Sequence, residues 1–115
     1  MGDSRMSGAS RPLPLKPADF HILLALANGP RHGYEIMKET EAESGGRVQL
    51  EVGTLYRILA RLLEDGLLEE AGEDGRRRNY SLTREGRRAL RAEAERLAGL
   101  VDRLRERRLL PRGEA

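Results

Sequence analysis

The sequence predicts a mainly α fold with a small β-hairpin wing (α+β): a winged helix-turn-helix followed by a long C-terminal dimerisation helix. Three observations predict it. The stretch from Glu51 to Asp65, EVGTLYRILARLLED, places Val52, Leu55, Ile58, Leu59, Leu62 and Leu63 on one side at 100° per residue, which is an amphipathic helix. Leu67 to Glu73 and Arg77 to Leu82 read as extended segments around Asp74-Gly75, a strong hairpin dipeptide. Between Arg84 and Arg108, Leu90, Ala94, Leu97, Val101 and Leu104 recur at alternating spacings of four and three, with Leu100 beside them, as in a short coiled coil.

Each element follows in order. Residues 1–15 are rich in Gly, Ser, Arg and Pro without periodicity and are expected to form a disordered tail. The winged domain is expected over 16–82. Pro17 opens its first helix, where a missing N–H costs nothing, and Asn28-Gly29-Pro30 closes it. Phe20, Ile22, Leu23, Leu24, Leu26 and Ala27 make that helix apolar over most of its circumference, so it is scaffold. A second, more polar helix is expected from Gly33 to about Ser44, ended by Gly45-Gly46. Arg47 to Leu50 reads as a short β-like connector with Val48 turned inward. The organising helix and the hairpin come next, and Thr83 caps the last helix, assigned to 83–110 ahead of a second tail over 111–115. A stripe that projects beyond so small a domain needs a cover, and a second copy of the chain supplies one.

Composition narrows the function. The chain has 115 residues, enough for one small domain and an extension, and its single Phe and three Tyr leave the core to Leu, Ala, Ile and Val. With no cysteine, disulfides, thiolate zinc sites and cysteine nucleophiles are excluded together. His21 and His32 have no ligand partners at metal-binding spacing, no phosphate-binding glycine loop occurs, and no Ser/His/Asp arrangement stands out, so neither an enzyme nor a cofactor is expected. No apolar run reaches the roughly 18 residues that cross a bilayer and the first residues lack a signal-peptide core, which points to a soluble cytoplasmic protein.

Net charge is +2 but unevenly distributed: residues 1–75 sum to −5 and residues 76–115 to +7. Arg76, Arg77 and Arg78 stand together at the hairpin tip, a concentration suited to phosphate. The organising helix carries Gly53, Thr54, Arg57, Ala60, Arg61 and Glu64 on its polar side, with Tyr56 at the boundary. Its small first-turn residues and unpaired N–H groups allow close approach to an anionic surface, of which a DNA groove is the leading candidate. Thr54 and Arg57 are the candidate base readers, while Lys16, Tyr34, Arg61 and the wing arginines are candidate phosphate contacts.

Taken together, GPRHGYEIMK (Gly29 to Lys38), GTLYRILARLLEDGLLE (Gly53 to Glu69) and DGRRRNYSLTREGRRAL (Asp74 to Leu90) resemble the PadR-like family of winged-helix transcriptional regulators. The resemblance spans about Pro17 to Leu104 and is most specific at the Gly-Thr-Leu-Tyr helix start. It implies a homodimeric repressor on double-stranded DNA that responds to a small molecule, with the last helix, through Leu90, Ala94, Leu97, Val101 and Leu104, supplying much of the dimer interface. It places Gly53, Thr54, Tyr56 and Arg57 toward the major groove, Tyr34 against the DNA backbone or the recognition helix, and Arg77 and Arg78 in the wing. Two residues depart from the family pattern: Glu51 stands where a capping serine is common, and Arg76 where the wing often has proline.

The operator implied is an inverted repeat with half-sites about one helical turn apart. Some relatives stack flat aromatic effectors between subunits; here the first and last helices offer Phe20 alone, so a small apolar or aromatic effector, or none, stays open. The competing reading is a winged-helix protein–protein module without specific DNA binding, favoured by the acidic balance before position 76.

Overall fold

The computed structural model describes residues 13–75 and 77–111. In chain order the elements are α1 (Pro17–Ala25), β1 (Arg31–His32), α2 (Gly33–Glu43), α3 (Val52–Glu64), β2 (Leu68–Asp74), β3 (Arg77–Leu82) and α4 (Arg84–Glu106). The four helices and the hairpin are those expected from the sequence. β1 is an addition: it pairs antiparallel with β3, Arg31 opposite Tyr80 and His32 opposite Asn79, so the wing is a three-stranded sheet in the order β1-β3-β2. Two residues are too few for a periodic signal.

α1 is the pillar of the core. Ile22 and Leu23 on it are fully buried, packed in one cluster with Leu26, Ile36, Leu55, Leu59, Leu62 and Leu67. Each such aliphatic side chain contributes about 1.5–3 kcal/mol by leaving water. Local chemistry sets the helix ends. His32 and Glu35 form a capping box at the start of α2: the imidazole Nδ1 accepts the Glu35 N–H at 3.4 Å and the Glu35 carboxylate accepts the His32 N–H at 3.2 Å. Gly66, at φ +80, ends α3, with its N–H on the Leu63 carbonyl and that of Leu67 on the Leu62 carbonyl. Thr83 caps α4, its Oγ1 accepting the Gly86 N–H at 3.0 Å and donating to the Gly66 carbonyl at 2.6 Å.

Several expectations are corrected. Residues 47–50 form no strand: among the described residues none pairs with them as a ladder, and the Ser44 hydroxyl accepts the Val48 N–H at 2.9 Å. Leu15, assigned to the tail, is buried in the core, and its backbone N–H helps to lower the Glu93 pKa. Glu93, which the period of the apolar stripe on α4 places on the outside of that helix, is buried as well, and a two-pronged bond at 2.9 Å from Arg96 satisfies its carboxylate. Val52, read as core, is 59% exposed, because α3 begins there and the hydrophobic layer begins one turn later at Leu55. Residues 1–12, Arg76 and residues 112–115 lie outside the described residues.

Candidate nucleic-acid interface

α3 buries Leu55, Ile58, Leu59 and Leu62 and leaves Gly53, Tyr56, Arg57 and Ala60 exposed, with Thr54 half-buried. Among the described residues Arg57 has no hydrogen-bond or ion-pair partner, so its guanidinium is available to a ligand. The bare first turn expected at Gly53 is present: a Cβ built there would meet nothing within 4 Å.

Beside this face lies a cleft of about 350 Å³ where the start of α2, the middle of α3 and the wing converge, lined by His32, Gly33, Tyr34, Tyr56, Arg77, Arg78 and Tyr80. Its floor depends on Gly33. A Cβ there would collide with the Tyr56 hydroxyl and ring, so only glycine lets Tyr56 lie across the start of α2. Tyr80 is buried beneath, and burial above all holds its phenol above the ordinary value of 10, keeping it neutral.

The wing arginines are placed differently from one another. Arg77 Nη1 lies 3.0 Å from His32 Nε2, which brings the wing up beside the α2 cap. Arg78 meets Glu70 at 3.4 Å with both side chains more than half exposed, a pair worth little in water and readily exchanged for a phosphate. The bulge in β2 between Glu70 and Glu73, with Gly72 at φ +105, bends the strand beside this contact. Tyr34 is 57% exposed with the Lys38 ammonium 5.4 Å above its ring, and Lys16 is exposed just before α1.

Arg61 is engaged within the fold. Its guanidinium makes paired hydrogen bonds of 3.0 and 3.1 Å to Asp19, which is 2% exposed on α1. Those bonds hold the Arg61 pKa above its ordinary value. Arg61 thus clamps α3 to α1, with 37% of its side chain still exposed. Sequence reasoning missed Asp19, although a lone carboxylate on so apolar a helix signals a buried cation partner.

The expected dimer stripe divides. Leu90 is buried in its own domain; Ala94 is exposed, Leu97 and Val101 are half-buried, and Leu104, Leu100, Leu109 and Leu110 present apolar surface to solvent. His21 packs edge-on against Phe20, with ring centroids 5.2 Å apart, and no cluster of metal ligands occurs among the described residues. No helix among them is long and apolar enough to cross a membrane.

Three helices closed by a β-hairpin, with an outward third helix and an arginine-bearing hairpin, define a winged helix-turn-helix protein. The chain belongs to the transcriptional regulator PadR-like family, whose model matches residues 22–92. It is 44% identical over 89 residues to an uncharacterized 37.1 kDa protein in transposon TN4556 of Streptomyces fradiae, a match covering 77% of this chain and 25% of that protein. The chain therefore spans about a quarter of the length of that curated relative. Among solved structures, RosR of H. salinarum is 32% identical with a TM-score of 0.65, over 74% of this chain and 76% of that one. PadR of Bacillus subtilis, solved in complex with operator DNA, shares the fold at 23% identity and a TM-score of 0.59, over 67% of this chain and 46% of its own.

Proposed function

We propose that the protein is a homodimeric, sequence-specific DNA-binding regulator of transcription that works in the cytoplasm, acting as a repressor on an inverted-repeat operator. The observation that carries this reading is Arg57, exposed on the open face of α3 and without a partner among the described residues, beside a cleft rimmed by Arg77 and Arg78. A structure of B. subtilis PadR with operator DNA supports it at the level of the shared fold.

In this reading α3 enters the major groove. Arg57 takes guanine O6 and N7 with two parallel N–H bonds, worth on the order of 1–3 kcal/mol in discrimination, and Thr54 and Gly53 lie against neighbouring base edges. Tyr34, Tyr56, Lys16, Arg77 and Arg78 hold phosphates on either side and set the register. The open face of α4, from Ala94 to Leu104, joins two copies so that their α3 helices meet successive grooves about 34 Å apart. Repression follows from occupancy of polymerase's site, and a small apolar or aromatic effector relieves it by binding the two spacings of the dimer unequally.

Fluorescence anisotropy with a selected operator and a scrambled duplex, at several salt concentrations, tests the reading. Arg77→Ala and Arg78→Ala are expected to weaken both duplexes together and to lower the slope of log K against log salt by about one each. An unchanged slope removes the wing from the interface. Binding that lacks any salt dependence, alongside a stable complex with another protein, replaces DNA by a protein partner.

A further inference from the structure

Among the described residues, the first residue of α3 has no packing partner that buries it. Val52 is 59% exposed, whereas the residues that share its pattern, Leu55, Ile58, Leu59 and Leu62, are buried. A β-branched residue is also a weak helix former, so helix propensity does not account for it. Its surroundings are as open as it is. Glu51 before it is exposed and its side chain makes no capping bond, Gly53 after it has free space around the position of a Cβ, and Tyr56, one turn further on the same edge, is 47% exposed.

The helix start thus offers a carboxylate, two methyl groups and bare backbone in succession. That set does not suit a phosphate, since the Glu51 carboxylate repels one. It suits the floor of the major groove, where amino groups of cytosine and adenine donate and the thymine C5-methyl is the apolar feature.

We propose that Val52 is a specificity-determining residue that packs its methyl groups on the C5-methyl of a thymine in each half-site. The assignment rests on α3 being the recognition helix, as proposed above. It makes the protein distinguish thymine from cytosine and from uracil at one position that Arg57 does not read.

The test uses full-length protein and an operator selected from random duplexes. Each thymine of one half-site is replaced in turn by deoxyuridine, which removes the C5-methyl and leaves every hydrogen-bonding group in place. Wild-type protein is expected to lose about four-fold in affinity at one position, the effect of one methyl group leaving water. Val52→Ala is expected to bind the thymine duplex more weakly by a similar factor and to change by under about two-fold on the uracil replacement. Because Val52 is exposed, the variant melts with the wild type. A wild type indifferent to uracil at every position, or a Val52→Ala protein that keeps the wild-type sensitivity, overturns the proposal while operator binding stands. Failure to select any duplex overturns the DNA-binding reading and this assignment with it.

Discussion

Gly33 shows how one absent methyl group shapes the cleft. The obstacle to a Cβ there is the end of the Tyr56 side chain, which is half-exposed and can swing aside. Gly33→Ala is therefore expected to leave thermal stability close to wild type, since alanine is the better helix residue, while displacing Tyr56 and weakening DNA binding. In a Tyr56→Ala background the same substitution should cost no further affinity, a coupling measured by a double-mutant cycle. Gly86 is the opposite case. A Cβ there would run into the Leu67 carbonyl, which is backbone and cannot swing away, so this glycine serves the packing of α4 on the end of α3. The sequence displays Gly33 in its His-Gly-Tyr motif but nothing in it names Tyr56 as the neighbour, because that contact joins residues far apart in the chain.

At the scale of elements, carboxylates on α1 and α4 tie the helices together. Asp19 on α1 holds Arg61 of α3, and Glu93 on α4 holds Arg96, with the Leu15 backbone N–H at the entrance to α1 also lowering the Glu93 pKa. The Arg96 hydrogen bonds, more than any other influence, hold the Glu93 carboxyl below its ordinary value of 4.5 although burial opposes them. A carboxyl depressed in the folded state stabilises it above the unfolded pKa, and that stability is lost as pH falls through the folded value. Unfolding by urea is thus expected to become easier below about pH 4.5, and Glu93→Gln is expected to be less stable at neutral pH with a shallower acid dependence. Periodicity and end signals made the helices legible: Pro17, Gly45-Gly46, Gly66 and Thr83 all stand at helix boundaries in the structure. Periodicity also misled. It assigned Val52 to the core and Glu93 to the surface, since a helical wheel knows angle around the axis but not where along the axis the neighbouring element begins and ends.

At the scale of the molecule, a second stretch of open apolar surface, apart from the start of α3, lies on the distal half of α4, where Leu100 and Leu104 are each more than a third exposed. If a second copy covers it, Leu100→Glu with Leu104→Glu yields a folded monomer in sedimentation, with operator affinity reduced by 10²-fold or more (about the gain that linking two sites provides). An unchanged dimer would move the interface elsewhere. The fold and the hairpin arginines were readable because each element carries its own local signal. The three-stranded sheet, the Arg77–His32 contact and the Asp19–Arg61 clamp were not, because each depends on residues more than 40 positions apart.

The Thr83 cap has a mechanical consequence. With its hydroxyl on the Gly66 carbonyl and its N–H on the Leu67 carbonyl, it welds the base of α4 to the end of α3, so the two helices turn as one body. α4 has 23 residues and is about 34 Å long, so a tilt of 10° at its far end corresponds to about 6 Å of travel at the base. A dimer joined along α4 is accordingly a pair of calipers: a small change of grip at the handles alters the gap between the jaws by as much as one full turn of an α-helix.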